Sequence, residues 1–435
     1  MRPRITAVPE AVGDHGGGDR PTLARSTAVM AAGTLASRLT GFARLVALAY
    51  ALGFTRLTDS YNLANITPNI IYELVLGGVL SATLVPVFVD RLAGDDDEDA
   101  WRAISAVVTA AAALLVVVTA VFVVIAPVLV RLYTLGNDTA SVGEQRVVAT
   151  SLLRMFAPQV ALYGMVTLVT AVLHARRRFA APMFAPVLNN LVVIGVLLAL
   201  PHVVDDVSLS GVRHDAGARL LLGLGTTAGV AAMAVALLPA LRTAGARLRP
   251  VWDPGHPAVR TIVRLSGWTF GFVAANQAAL MLVLVLANGR AGDVAAYQAG
   301  QVFFLLPHGV FAVSVMTALQ PDLAERWAMG DAAGYGRRVA KGLRTIGAVV
   351  IPAGVGYLCL AHPIVRVALE HGALRSTSAS TTAGVLAMLA IGLPGFSAFL
   401  FLMKAFQAMQ DTRSVFYLYL VENGLNAVLA VALYP

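Results

Sequence analysis

Residues 103–130, AISAVVTAAAALLVVVTAVFVVIAPVLV, form an uninterrupted apolar run between Arg102 and Arg131. About 20 apolar residues in a helix suffice to cross the hydrocarbon core of a bilayer. Comparable runs recur along the chain, which is 58% hydrophobic and 13% charged, whereas soluble domains carry about 25% charged residues. The sequence therefore predicts an all-α polytopic membrane protein and excludes soluble globular and fibrous classes.

The apolar runs predict about eleven membrane spans. They cover residues 27–54, 61–90, 103–132, 148–174, 181–200, 217–242, 260–288, 294–325, 342–361, 380–408 and 414–433. Several exceed the length that a bilayer requires, which predicts tilt, kinks or extension beyond the membrane. Residues 1–26 are polar and lack the apolar core of a signal peptide, so we expect a disordered cytoplasmic tail.

Basic residues between the spans predict the orientation. With the N-terminus in the cytoplasm, the cytoplasmic segments hold 20 Lys and Arg residues and the outer segments hold nine. Cytoplasmic loops are the ones enriched in Lys and Arg, so this orientation is favoured. The net charge of +8 is spread between apolar runs rather than on a soluble face, which argues against nucleic acid as a partner. The acidic run of residues 95–99 is expected to be a solvated charge run.

The chain contains an internal repeat with a period of about 234 residues. The matching residues are Gly41-Phe42 with Gly271-Phe272, Arg56 with Arg290, Asp59 with Asp293, Pro86 with Pro321, Arg91 with Arg326 and Asn190 with Asn423. One period spans six predicted helices, an even number, so the two lobes should be related by a pseudo-two-fold axis along the membrane normal. We expect substrate to bind between the lobes near mid-membrane and transport to proceed by rocking.

The repeat predicts the domain boundaries. An N-lobe of helices 1 to 6 covers residues 27–242, a cytoplasmic linker covers 243–259, and a C-lobe of helices 7 to 11 covers 260–435. The C-lobe would then lack its sixth helix, as in a truncated chain.

Two arginines lie deep in the first predicted span. Arg38 and Arg44 follow its start by about twelve and eighteen residues. An Arg facing lipid at that depth is costly, so both should face a protein interior or a water-filled cavity. Guanidinium groups suit phosphate, which predicts a diphosphate-bearing substrate. The alternative is that Arg38 reaches the membrane surface or forms a structural pair.

Two acidic residues of the first lobe are further candidates. Asp59 precedes the second span at the outer mouth, where it either contributes to substrate binding or caps helix 2. Glu73 lies about twelve residues into that span, just before Gly77-Gly78. We expect Glu73 to pair with Arg38 or Arg44, either structurally or as a coupling or gating site.

Four polar residues of the second lobe complete the candidate set. Gln301 and His308 fall in helix 8, and His308 stands between Pro307 and Gly309, which predicts local unwinding. His308 is either a hydrogen-bonded packing residue or part of a gating relay. Lys404 and Glu422, in helices 10 and 11, would pair or line the cavity, unless Lys404 extends to the membrane surface.

Enzyme signatures are absent from the sequence. It has no P-loop, no H-E-x-x-H and no G-x-S-x-G motif, and Cys359 is its only cysteine, which excludes an internal disulfide or a cysteine metal site. We therefore expect neither catalysis, nor a metal, nor a cofactor.

A series of short motifs runs through the chain. They are Ser37–Arg44 (SRLTGFAR), Asp59–Tyr61, Pro68-Asn69, Gly77–Ser81, Val85–Phe88, Leu173–Phe179, Pro186–Asn190 and Ala405–Thr412. These motifs resemble those of the MurJ/MviN lipid II flippases, a family within the multidrug/oligosaccharidyl-lipid/polysaccharide exporter superfamily, and the resemblance covers nearly the whole chain after residue 27.

The resemblance implies a fourteen-helix fold in a bacterial inner membrane. It implies flipping of an undecaprenyl-diphosphate-linked peptidoglycan precursor, lipid II, from the cytoplasmic to the outer leaflet, with Arg38, Arg44 and Asp59 as essential residues. The further partners expected are membrane lipids and cell-wall synthesis or division proteins. The expected driving force is a coupling ion or the membrane potential.

The chain departs from the family pattern at two places. Tyr72-Glu73 stands where relatives commonly have Arg-Arg, and Gln301 stands where many have an arginine. The predicted cavity is therefore less cationic than usual. Two alternatives remain: a cation-coupled exporter of drugs or of another lipid-linked oligosaccharide, and a non-transporting scaffold for cell-wall enzymes.

Overall fold

The computed structural model describes residues 23–77, 83–94, 96–135, 137, 139–409 and 411–433. All regular elements within these ranges are helical, which confirms the all-α prediction. Of the predicted tail, residues 1–22 lie outside the described residues, and the first helix already begins at Leu23.

Among the described residues, the first lobe contains ten helices and one complete π-helical segment, and residues 83–84 are also π-helical. In chain order these are α1 (Leu23–Leu52), α2 (Arg56–Tyr72), the π segment Glu73–Gly77, α3 (Val85–Leu92), α4 (Asp97–Tyr133), α5 (Val142–Phe156), α6 (Pro158–Ala175), α7 (Ala180–Val203), α8 (Leu209–His214), α9 (Ala216–Ala236) and α10 (Leu238–Thr243).

The second lobe contains six helices and a second π-helical segment. These are α11 (Pro257–Ala287), α12 (Asp293–Pro307), the π segment His308–Ala312, α13 (Val313–Ala328), α14 (Ala332–Leu369), α15 (Ser376–Ala408) and α16 (Thr412–Ala432).

Nine helical stretches of the described residues are long and apolar enough to cross a membrane. They coincide with nine of the eleven predicted spans. The other two predictions, residues 61–90 and 260–288, fall on α2–α3 and α11, which include residues whose backbone or side chains lie outside the description. The count of eleven therefore stays a prediction.

Several helices extend well beyond the predicted spans. The predicted span 342–361 lies within α14, which begins ten residues earlier at Ala332. Its first turns carry Arg337, Arg338 and Lys341, which favour a helix but not a membrane, and hydropathy detects only the apolar part. The Asp331 side chain accepts a hydrogen bond from the Gly334 amide and starts this helix. That bond and the nearby Arg326 hold the pKa of Asp331 below its usual value.

The acidic run before α4 is a helix cap with ion pairs. Asp96 accepts hydrogen bonds from the amides of Glu98 and Asp99, as expected for an N-cap residue. Asp97 pairs with Arg247 at 3.2 Å. Arg247 belongs to the predicted linker, which runs along α4, with the Arg249 amide donating to the Ser105 hydroxyl. The run therefore has a structural role at the junction between the lobes.

The helix bounds repeat in the two lobes. Helices α4 and α14 begin at Asp97 and Ala332, one period of the repeat apart. The α5–α6 pair and α15 are related in the same way, with starts at Val142 and Ser376. The two π segments, which begin at Glu73 and His308, have this spacing too. These starts agree with the repeat inferred from the sequence.

Small residues allow the helices within each lobe to pack closely. In the first lobe α7 packs between α1 and α9, and in the second α15 packs against α14 and α12. A Cβ on Gly342 would lie 2.3 Å from the Phe401 ring, and one on Gly223 would lie 2.3 Å from the Met155 sulfur. Such contacts stabilise helix bundles in lipid, where apolar burial adds little driving force.

The lobes meet along one half of α1. Leu45, Ala49 and Phe54 form one buried cluster with α12, α14 and α15 of the second lobe. The Phe42 ring meets the Phe303 ring edge-on at 5.3 Å. Toward the start of α1, by contrast, Leu35 and Leu39 are exposed. The interface is thus closed at the end that follows Phe42.

Candidate functional site

A network of buried polar residues closes the bundle at the end predicted to be external. We call its members, Arg56, Asp59, Asn137, Gln145, Asn288 and Gly292, the polar gate. The Asp59 side chain is fully buried. Its two oxygens accept hydrogen bonds from the amides of Gly292 (2.6 Å) and Ala295 (3.1 Å) in the other lobe. Asp59 therefore caps α12 rather than its own helix α2, and a carboxylate is favourable at that helix N-terminus.

Asn288 is the centre of the gate in the second lobe. Its backbone carbonyl accepts from Arg56 Nη1 at 2.7 Å, and its Oδ1 accepts from Gln145 Nε2 at 2.9 Å. Its Nδ2 donates to the Tyr133 carbonyl at 2.9 Å. Because these bonds cross between lobes and their polar groups are buried, opening this end would leave them without partners unless water replaced them.

Two close backbone approaches complete the closure. Gly292 has a φ of +88°, and a Cβ there would lie 2.5 Å from the Phe54 carbonyl. Gly53 has a φ of +60°, and a Cβ there would lie 2.6 Å from the Ala373 carbonyl. The Ala373 amide also donates to the Tyr50 carbonyl at 2.9 Å. The corner between α1 and α2 thus packs against two loops of the second lobe, one at Gly292 and one at Ala373.

A cavity of about 270 Å³ lies between the lobes next to the gate. One face of α2 lines it with three amides at helical spacing, Asn62, Asn65 and Asn69. Gln298 of α12 faces them from the second lobe. Arg44 supplies the cation of the lining. The cavity therefore combines one guanidinium and four amides with apolar side chains such as Leu45 and Val302, and its polar groups can bind an anion and hydrogen-bond polar groups beside it.

Arg38 lies outside that lining but also at the interface between the lobes. Its guanidinium is 3.8 Å from the position that a Cβ on Gly309 would take, beside the second π segment. Arg38 and Arg44 are six residues apart on α1, about 9 Å along the helix. None of the ion pairs among the described residues includes either arginine.

Glu73 does not pair with either arginine in this conformation. It opens the first π segment and is half-buried. The ring of the preceding residue, Tyr72, stacks on Tyr163 of the first lobe at 5.5 Å. The predicted pair of Glu73 with Arg38 or Arg44 would require another arrangement of the lobes.

At His308 the structure has the second π segment instead of the predicted local unwinding. His308 is buried, its Nδ1 is 3.0 Å from the Ser397 hydroxyl, and it contacts the Phe396 ring. Proline lacks the backbone amide that would donate to the carbonyl four residues earlier. For Pro307 this is the Phe303 carbonyl, which accepts a hydrogen bond from the Tyr357 hydroxyl instead. These contacts fit the packing interpretation of His308.

The other three candidates of the second lobe lie outside the cavity lining. Gln301 Nε2 donates to the Tyr297 hydroxyl at 2.6 Å. Lys404 is exposed and its ammonium donates to Gln407 at 3.1 Å. The predicted pair of Lys404 with Glu422 is not formed, since neither is in an ion pair of the described residues. The exposure of Lys404 is consistent with a side chain that extends to the membrane surface.

The amide face of α2 and most of the polar gate were not predicted from the sequence. The spacing of Asn62, Asn65 and Asn69 was a usable signal, since residues three and four apart share a helix face. The gate partners Gln145 and Asn288 lie near helix ends, where polar residues are ordinary, and no spacing connects them.

Solved structures place this fold among two-lobed membrane transporters. The chain aligns with a structure described as "Lipid II flippase MurJ, inward closed conformation", with a TM-score of 0.77, 19% identity, 93% of this chain and 81% of that one. It also aligns with an inward-facing multidrug resistance transporter of the MATE family, with a TM-score of 0.70, 12% identity, and 91% and 88% of the two chains. Both similarities concern the fold.

Sequence comparison specifies the family. The model for "Lipid II flippase MurJ" matches residues 48–435. A probable lipid II flippase MurJ of Rhizobium tropici is 26% identical over 402 residues, covering 92% of this chain and 74% of the relative. The lipid II flippase MurJ of Burkholderia cenocepacia is 25% identical over 388 residues, covering 88% and 72%. The chain belongs to the MurJ family of lipid II flippases, and it is a multi-pass membrane protein.

Proposed function

We propose that this protein moves lipid II from the inner to the outer leaflet of a bacterial plasma membrane by alternating access. The observation that carries the proposal is the placement of Arg44 in a cavity between two lobes, with no carboxylate paired to it among the described residues. A diphosphate offers that guanidinium bidentate hydrogen bonds. Arg38, about 9 Å along the same helix, is a second contact as the substrate passes.

The amides of the lining suit the remainder of the head group. Asn62, Asn65, Asn69 and Gln298 offer both donors and acceptors, which sugar hydroxyls and peptide amides require. The enclosed volume of about 270 Å³ is at the small end for a ligand pocket. A complete head group therefore enters only when the lobes move apart at the end opposite the gate.

In the second half of the transport cycle, the polar gate has to open. In our proposal the N-terminus is cytoplasmic, so the gate faces outward and the conformation described is closed to the outside. Release into the outer leaflet then breaks the bonds of Asp59 and Asn288 across the lobes. The driving force is a coupling cation or the membrane potential. Membrane lipids and cell-wall synthesis or division proteins are the further proposed partners, and no catalytic step is involved.

The test combines growth with the leaflet distribution of substrate. In a strain depleted of its own flippase we expect Arg44→Ala and Arg38→Ala to abolish complementation, because the diphosphate loses its bidentate partner. Arg44→Lys should also be impaired, since an ammonium cannot reproduce that geometry. The matched control is Arg366→Ala, an exposed arginine that pairs with Glu370 and does not line the cavity.

Membrane levels of each variant are measured alongside, and lipid II exposed on the outer leaflet is quantified. Normal growth and normal outer-leaflet lipid II from the double variant at wild-type abundance would refute the substrate-binding role. An unchanged leaflet distribution after depletion of the wild-type protein would instead favour an exporter of another substrate or a scaffold.

A further inference from the structure

Three arginines converge on a groove on the flank of the first lobe, away from the cavity. Arg131 ends α4, while Arg146 and Arg154 lie on α5, and all three line one pocket of about 880 Å³. The hydroxyls of Thr150 and Ser151 line it as well. No residue of this lining also lines the cavity between the lobes.

The three guanidiniums have spare hydrogen-bonding capacity. Arg131 and Arg154 take part in no ion pair of the described residues, and Arg146 donates its Nε to the Thr134 hydroxyl at 2.8 Å. The acidic residue nearest in sequence, Glu144, pairs with Arg213 at 3.0 Å. Three neighbouring cations without a carboxylate repel one another unless an anion joins them.

The depth of the groove matches the head-group layer of the bilayer. Helices α5 and α6 together extend from Val142 to Ala175, and Arg176–Arg178 follow directly in the sequence. Arg154 precedes Ala175 by about 31 Å along a helix, and the hydrocarbon core is about 30 Å thick. If Ala175 lies at one boundary of the hydrocarbon core, Arg154 lies at the other, where the phosphates of the opposite leaflet begin. Outer segments carry few basic residues as a rule, so a cluster there needs its own explanation.

The rim of the groove is apolar on the side that faces lipid. Val147 and Leu224 are each 51% exposed, and Met155 and Pro158 continue the same lining. A free anion would need only the guanidiniums. A combination of guanidiniums, hydroxyls and an exposed apolar rim fits a molecule with a phosphate at one end and acyl chains at the other.

We propose that the groove formed by Arg131, Arg146 and Arg154 binds the phosphate head group of an anionic phospholipid in the outer leaflet. The assignment to the outer leaflet follows the proposed orientation, whereas phospholipid binding does not depend on the transport function. Arg146 adjoins Gln145 of the polar gate, and its partner Thr134 adjoins Tyr133, whose carbonyl holds Asn288. A bound phosphate therefore braces the α4–α5 corner against which the gate closes.

The test compares two variants with the same loss of charge on the same predicted side. Arg131→Gln/Arg154→Gln removes two guanidiniums of the groove, and Arg366→Gln/Arg375→Gln removes two exposed arginines elsewhere. The full chain is placed in phosphatidylcholine nanodiscs with added phosphatidylglycerol, and bound lipid is measured by native mass spectrometry. We expect about tenfold weaker retention of phosphatidylglycerol by the groove variant, about 1.4 kcal/mol, and wild-type retention by the control.

Further measurements separate the sources of phosphate. In the wild type, a photoactivatable phosphatidylglycerol should label the peptide of residues 146–158, and excess inorganic phosphate should not prevent labelling. Equal loss of retention in both variants, labelling elsewhere only, competition by inorganic phosphate alone, or competition by undecaprenyl diphosphate but not by phosphatidylglycerol would each overturn the proposal. The labelling uses wild-type protein, so it tests the site even where the groove variant is unstable.

Discussion

At the scale of single residues, Asp59 shows how the partner of a candidate residue depends on tertiary packing. The sequence indicated a carboxylate before a helix, and capping of α2 was the structural alternative. The structure shows that it caps α12 of the other lobe. A cap within one helix follows from local spacing, but a cap between lobes depends on packing that no local pattern encodes. The depth of Arg44, by contrast, predicted that it faces a cavity, and it lies in the lining between the lobes, whereas Arg38 is exposed and lies outside that lining.

Replacing Asp59 should release the gate. We expect Asp59→Ala to favour opening at the predicted outer end, because two amides of α12 lose their acceptor, at a cost of about 1–3 kcal/mol to the closed state. A cysteine introduced at Ala295, in a Cys359→Ser background, should then react faster with a membrane-impermeant thiol reagent added outside. Asp90→Ala, a change of an exposed carboxylate on α3, is the control. Equal labelling rates in both backgrounds would mean that Asp59 does not hold the gate closed.

At the scale of helices, composition predicted the spans but not their ends. Hydropathy found the apolar part of α14, while its polar first turns, from Ala332 onward, continue as helix outside the apolar stretch. The short helix α8 escaped prediction, since six residues leave no periodicity to detect. Pro307 and Gly309 predicted an irregular backbone at His308. The irregularity is a π-helical turn, which is wider than an α turn, and not an unwound stretch.

Close packing of α14 on α15 gives a prediction at this scale. Gly342→Ala would place a Cβ against Phe401 and Leu319, in a contact that has no space to relax because Phe401 is fully buried. We expect a lower midpoint of thermal unfolding in detergent, by several degrees. Gly356→Ala, on the same helix with nothing within 4 Å of its new Cβ, should raise or preserve the midpoint, because alanine favours the helix. A drop of the same size in both variants would refute a role for the close contact.

At the scale of the whole molecule, the repeat was the most informative sequence feature. Matches as short as Arg56 with Arg290 identified two halves whose helix bounds recur at close to the same period. What the repeat could not predict is the conformation. Two equivalent lobes are compatible with closure at either end, and closure at the predicted outer end depends on pairs such as Arg56 with Asn288.

Topology is the prediction on which the direction of transport depends. A reporter enzyme fused after Arg177, between α6 and α7, should be active in the cytoplasm, and one fused after Asp206, between α7 and α8, should be external. The charge count of 20 Lys and Arg residues against nine supports this assignment. The opposite location at both sites would reverse the membrane orientation, and the polar gate would then face the cytoplasm.

The paired π segments bear on the history of the chain. A π turn accommodates one residue more than an α turn, so it marks the insertion of a single residue into a helix. Independent insertions would have no reason to fall at matching sites, yet Glu73–Gly77 and His308–Ala312 are separated by the spacing of the repeat itself. The matching positions are consistent with a π segment that was present before the sequence doubled, and its first residue is now glutamate in one copy and histidine in the other.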